Sequence, residues 1–276
     1  MNLLWAVLIV LGVALLAIAA MLLVRRGAPE GSYFEDGDRA SGIFGVLATA
    51  FAVLIGFVVF LSFESFDTSR TGAEAEARIV VQQFETVPFL PVAVRAQLSG
   101  DLVCYARTVI HQEWPRMAAG TIGGSRNPWS LTMLRTLQTA NPRTASEQAA
   151  YAKWFDQRSD REDGRADRIH GGEGVIPTPV WIVLLLASAV IFVYMLFFAD
   201  SAERAIVQAT MMGGVAVVIT STLLLLVFLD HPYDSGVGGL RPVAMERALR
   251  QLRQERAFLR TSIVIPCDAQ GAARGA

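Results

Sequence analysis

Apolar residues gather in four uncharged runs, over residues 3–24, 43–63, 180–199 and 206–229. At a helical rise of about 1.5 Å per residue, each is long enough to cross the hydrocarbon layer of a bilayer. The pattern predicts an all-α integral membrane protein. Residues 1–66 hold transmembrane helices one and two, 67–176 an inserted helical soluble domain, 177–229 helices three and four, and 230–276 a tail with an amphipathic helix. A cleaved signal is the alternative for the first run, although it is longer than a typical signal core and is closed by Arg25-Arg26.

The second run organises the rest. Ser41 suits its N-cap. Past Phe63 it turns polar without a helix breaker, and the helical period carries through Glu64, Asp67, Arg70, Glu74 and Glu76 towards Gln83. This predicts one long helix, apolar in its first half and charged in its second. At about 100° per residue it carries three stripes. Gly45, Ala48, Ala52 and Gly56 are small, which lets helices approach closely in lipid. Leu47, Phe51, Leu54, Val58 and Leu61 are bulky. Thr49, Val53, Phe57, Phe60, Glu64 and Asp67 run from a hydroxyl through apolar groups to two carboxylates. That third stripe either packs on neighbours with its carboxylates at the headgroups, or lines a narrow water path.

Beyond a break at Val87-Pro88-Phe89-Leu90-Pro91, the positions Val94, Leu98, Leu102, Tyr105 and Val109 predict an amphipathic helix over 92–117. A loop over 121–128, a short helix over 129–138, and a helix capped by Thr144 and running to about residue 157 follow. Residues 159–174 (SDREDGRADRIHGGEG) read as a charged, glycine-rich linker. No alternating pattern argues for strands. Pro177 and Pro179 open the third span, and the short turn over 200–204 makes spans three and four an antiparallel hairpin. Ala209 and Gly213 offer a small-residue contact. The tail helix, expected over 243–265, mixes Ala244, Leu249, Leu252 and Phe258 with Arg247, Arg250, Arg253, Arg256 and Arg260, and is expected to dock on the middle domain.

At 53% hydrophobic, with a mean hydropathy of +0.42, the chain is too apolar for an average soluble protein. A net charge of −1 and the lack of a DNA- or RNA-binding motif argue against nucleic acid as a partner. Lys153 is the only lysine among 24 basic residues, a compositional habit rather than a binding signal. His111, His170 and His231 lie far apart without metal-ligand spacing, and no G-x-S-x-G, H-E-x-x-H or phosphate loop occurs, so neither an enzyme nor a cofactor is expected. Glu113 lies two residues from His111 and faces elsewhere on a helix. Asp230 and Asp234 beside His231 read as helix caps, with a cation site as the alternative, and the glycines over 236–239 read as a flexible turn. Cys104 and Cys267 have no zinc spacing. They can pair only on an oxidising side of the membrane; the reading adopted is two idle thiols.

Basic flanks give a split orientation. Arg25, Arg26, Arg39 and Arg204 flank the short loops. Arg70, Arg78, Arg158, Arg161, Arg165, Arg168, Arg241 and Arg247 flank the other side. The weight of short loops favours the first group as cytoplasmic, and raw counting favours the second.

Three signatures, LIGFVVFLSFESFD–SR–AEAEA over 54–77, L–DLVCYARTVIHQEWPRM over 98–117 and LDHPYDSGVGGL over 229–240, together resemble the bacterial bestrophin-like domain family, remote relatives of bestrophin channels. The resemblance covers the chain from the second span to the tail helix. It implies four spans, a helical cytosolic portion with both termini inside and the cysteines reduced, and a pore shared by several subunits. Gly56-Phe57, with Val53 and Thr49 one and two turns back, falls on the pore-neck positions of bestrophin channels. The tryptophan-rich segment usual there is replaced here by Phe63-Glu64-Ser65-Phe66-Asp67, which weakens any transfer of anion selectivity.

The resulting expectation is a channel in the bacterial inner membrane, a homo-oligomer of four or five subunits. Its pore is lined by Thr49, Val53, Gly56, Phe57, Phe60, Glu64 and Asp67, and its permeant partner is a monovalent cation, K⁺ foremost. The alternative is a non-conducting membrane scaffold or sensor whose soluble domain recruits a partner.

Overall fold

The computed structural model describes residues 3–121, 126–259 and 263–274, and all its regular elements are helical. In chain order they are α1 (Leu3–Arg25), α2 (Gly37–Thr86), α3 (Val92–Thr108), α4 (Trp114–Ala118), α5 (Pro128–Gln138), α6 (Ala145–His170), α7 (Thr178–Phe197), α8 (Ala205–Asp230) and α9 (Val243–Leu259). The chain divides into two compact units. One comprises Met1–Glu64, Val175–Asp230 and Ser235–Gly238; the other comprises Ser65–Gly174, His231–Asp234 and Gly239–Ala276.

In the first unit, α1, the first half of α2, α7 and α8 are each long and apolar enough to cross a membrane. Phe51, Ile55 and Val58 of α2 pack against Leu184 and Ile191 of α7 and Ile219 and Leu226 of α8. α8 lies along α1, where Gly213 meets Ile18; a Cβ at Gly213 would stand 2.9 Å from Ile18 Cδ1. α2 begins four residues before the expected cap. Asp36 caps it, its Oδ1 accepting from the Arg39 N–H at 3.0 Å, while Ser41 lies inside the helix and donates to the Asp38 carbonyl at 2.8 Å. The turn before α8 is held by Arg25, whose Nη2 donates to the Ser201 and Glu203 carbonyls at 2.9 and 2.5 Å. Asp230 Oδ1 accepts from the backbone of Val175 and Ile176 at 2.6 and 2.9 Å, so it caps the approach to α7. Among the described residues no group of three or more His, Cys, Asp or Glu is placed to hold a metal ion.

In the second unit α3 is central, with Val94, Leu98, Leu102, Tyr105 and Val109 all buried. The helix expected over 92–117 passes through one wide π turn, Val109–Glu113, before α4. Pro115 has no N–H to donate four residues back, and the wider turn sits just ahead of it. Thr144 and Glu147 form a reciprocal capping box at the start of α6.

The largest departure from expectation follows. Residues 159–170 are helix rather than linker, and they turn Arg161, Arg165 and Arg168 into the core. Polarity alone suggested solvent, but these arginines recur every three or four residues, and buried acids await them. Close packing makes this possible, because Gly72 and Gly164 sit where α2 and α6 touch. A Cβ at Gly72 would lie 2.5 Å from Asp167 Cβ, and one at Gly164 would lie 2.8 Å from the Glu76 nitrogen.

The cysteine reading is corrected as well. Cys104 and Cys267 form a disulfide, with Cα atoms 5.8 Å apart and both residues fully buried. Spacing could not reveal it, since 163 residues separate them and only the folded tail brings them together. Residues 263–266 are not helical, so the tail helix stops short of the expected residue 265; residues 260–262, and 122–125 of the expected loop, lie outside the described residues. Met245, Ala248, Leu249 and Leu252 of α9 are buried in the core, while Phe258 is exposed.

Asp101 is fully buried in α3. Its Oδ1 accepts from Gln97 Nε2 at 3.0 Å and its Oδ2 has no partner among the described residues. Burial pushes its carboxyl up to about 7, against the lowering effect of the Gln97 hydrogen bond. A carboxyl raised on folding costs stability as pH climbs from its unfolded value towards 7, and the full cost persists above that. Asp101→Asn is therefore expected to stabilise the protein by about 2 kcal/mol at pH 8 and to do nothing near pH 4. Thermal unfolding at the two pH values checks this.

Candidate functional site

The candidate face lies on α2. Thr49, Val53, Gly56, Phe57, Phe60, Glu64 and Asp67 are all exposed, on the side of the helix away from Phe51, Ile55 and Val58. Val53, Phe57 and Phe60 retain 69%, 60% and 62% of their surface, a large exposed apolar area on one side of the helix. Gly56 is open too, since a Cβ there would meet nothing within 4 Å. Among the described residues neither the Glu64 nor the Asp67 carboxylate has an ion-pair partner. The same face continues past Asp67 through exposed Thr71, Glu74 and Arg78. Arg70 and Glu74 pair beside it at 3.5 Å. Chemically, the face offers a hydroxyl, an aromatic apolar belt one turn deep, and two free negative charges.

The second half of α2 is locked in rotation by a buried charge cluster that sequence reading missed. Arg168 of α6 donates through Nε to Glu76 Oε2, through Nη2 to Glu76 Oε1 at 3.1 Å, and through Nη2 to Glu113 Oε2 at 2.6 Å. Arg165 Nη2 and Asn127 Nδ2 donate to Glu113 Oε1 at 3.1 and 3.0 Å. Tyr105 Oη donates to Glu76 Oε1 at 2.5 Å. Arg161 donates to Gln83 Oε1 at 2.6 Å and lies over the Tyr105 ring at 4.7 Å. Glu76 and Gln83 are both on α2, so the cluster sets which way that part of the helix faces. The signal was present as Arg161, Arg165 and Arg168 at helical spacing. Beside this helix half, a groove of about 900 Å³ is lined by Arg70, Glu74, Arg78, Trp114, Arg241 and Arg247.

Among the described residues, helices throughout, four of them of membrane-crossing length, and a second helical unit with a hydrophobic core define the class as a helical membrane protein. The model of the bestrophin-like domain matches residues 11–245, and the chain belongs to that family. In fold it is similar to a variant of a bacterial bestrophin homologue from Klebsiella pneumoniae, with TM-score 0.68 and 14% identity, covering 89% of this chain and 98% of that one. A second variant of that homologue gives TM-score 0.68 at 13% identity, covering 91% and 98%. A structure described as a membrane protein gives 0.67 at 14%, covering 89% and 97%. No curated protein matches the chain in sequence.

Proposed function

We propose that the chain is one subunit of a homo-oligomeric ion channel in the bacterial inner membrane, formed by four or five copies around an axis lined by α2. The observation that carries this reading is the unpartnered face of α2, which runs from Thr49 through Val53, Phe57 and Phe60 to unpaired Glu64 and Asp67. Contact with lipid alone would account for the apolar part and leaves the carboxylates on the same face unexplained. The family's relation to bestrophin channels supports the same assignment. In such a ring Phe57 and Phe60 form an apolar constriction, and Glu64 and Asp67 form acidic rings at one mouth. Rings of carboxylates concentrate cations and repel anions, so the permeant ion is a monovalent cation, with K⁺ the physiological one.

The test is reversal potential across bilayers that hold the purified protein in a KCl gradient. The native protein is expected to be cation-selective. Glu64→Gln with Asp67→Asn is expected to bring the cation-to-anion permeability ratio several-fold closer to unity with conductance retained. An unchanged ratio eliminates the acidic rings, and a purified protein that is monomeric in mild detergent eliminates the channel.

A further inference from the structure

The buried Cys104–Cys267 bond bears on which side of the membrane the soluble unit occupies. Residues 263–274 form a strap along α3. Val264 N donates to the Ala96 carbonyl at 3.2 Å, and Arg107 Nη1 donates to the Asp268 carbonyl at 2.8 Å. Thr108 Oγ1 and Trp129 Nε1 both donate to the Gly271 carbonyl, at 3.0 and 2.9 Å. The approach is so close that a Cβ at Gly100 would lie 1.6 Å from the Val264 carbonyl oxygen, and Gly271 adopts φ +84° against Thr108. This seat places the two sulfurs in bonding contact inside the core rather than at a flexible surface. Protein disulfides form and persist in oxidising compartments, and thiols are kept reduced in the bacterial cytosol.

A second, independent observation brings the arginine count close to parity. The positive-inside rule weighs short loops and discounts folded domains, which cross largely regardless of charge. Arg161, Arg165 and Arg168, which swelled the count on the soluble side, are buried among Glu76, Glu113 and Gln83 and present no charge to a membrane surface. With these removed, Arg70, Arg78, Arg158, Arg241 and Arg247 on the soluble side stand against Arg25, Arg26, Arg39 and Arg204 on the short loops, and the weight the rule gives to short loops favours the latter as cytoplasmic. Arg25 is itself tied to the turn before α8.

We infer that the soluble unit lies on the oxidising, non-cytoplasmic side of the membrane, and that Cys104 and Cys267 are a site of oxidative modification there. The two thiols give up two protons and two electrons as the S–S bond forms. The electrons pass to the disulfide of a thiol–disulfide oxidoreductase, which leaves as a dithiol. The short loops, with Arg25 and Arg204, are then cytoplasmic, and the middle of α2, where Glu64 and Asp67 follow the apolar half, is the external mouth. The inference rests on the four-span reading above.

The experiment uses the full chain expressed in bacteria, with single reporters at two exposed sites in the otherwise native protein: Ser146→Cys at the start of α6 and Ser201→Cys in the turn before α8. Spheroplasts are treated with a membrane-impermeant maleimide before or after permeabilisation. The native pair is counted separately by mass-tagging in denaturant, with and without reductant. The Ser146→Cys protein is expected to label in sealed spheroplasts and the Ser201→Cys protein only after permeabilisation. The native cysteines are expected to take up no tag until reduced, and two afterwards. The opposite labelling order overturns the orientation while leaving the spans intact. Equal labelling of both sites before permeabilisation overturns the four-span reading and this inference with it. Two tags without reductant overturn the modification.

Discussion

Arg168→Met is expected to destabilise the second unit by about 3–5 kcal/mol, the usual cost of leaving buried charge without its partner. Arg168 is fully buried, and its guanidinium is shared by Glu76, also fully buried, and Glu113. Burial pulls the Arg168 proton affinity down, but the two carboxylates more than offset this and keep the group charged throughout the accessible pH range. Burial likewise pulls the Glu113 carboxyl up, and Arg168 and Arg165 outweigh it, holding the group below the ordinary carboxylate range. A depressed carboxyl contributes stability that is present above its unfolded value and is lost as pH falls through the folded one. The native unit should therefore lose stability below about pH 4.5. The Arg168→Met protein should lose less on acidification, because protonating Glu113 then removes an uncompensated charge. A triple change, Arg168→Met with Glu76→Gln and Glu113→Gln, should recover much of the loss. Thermal unfolding followed by tryptophan fluorescence reads all of these, since Trp114, Trp129 and Trp154 are buried in this unit. A single change that melts like the native protein would show that the cluster is solvated.

The helices of membrane length were legible because their signal is local, namely long uncharged runs with nothing polar to satisfy. The capping box at Thr144 and the proline starts were equally local. What failed was non-local. Residues 159–170 look like a solvated linker until Glu76 and Glu113, about a hundred and about fifty residues away along the chain, are placed opposite them. The cysteine pair depended on the same kind of distant partner, a strap whose course no periodicity announces. The start of α2 was misplaced for a smaller reason: Asp36 and Ser41 are both good caps by type, and only the hydrogen bond from Arg39 chooses between them. The candidate face was readable from spacing alone as far as its composition, because side chains three and four apart share a helix side. Whether neighbouring helices cover that side is a tertiary fact, and within the protomer they do not.

That uncovered side makes the last prediction sharp. Phe57→Ala with Phe60→Ala is expected to raise single-channel conductance several-fold and to prolong openings, because an apolar constriction closes by shedding water and loses that ability once it is widened. Both rings are more than half exposed in the protomer, so removing them leaves no cavity and melting should scarcely move. Phe51 is the control on the same helix. It is buried against α7 and α8, and Phe51→Ala should cost about 3–5 kcal/mol of stability, as core truncations do, with no widening of the pore. The two variants separate lining from packing by opposite signatures, altered conduction with native melting against native conduction with lowered melting. A Phe57→Ala, Phe60→Ala channel that conducts as the native one does would place the constriction on another helix.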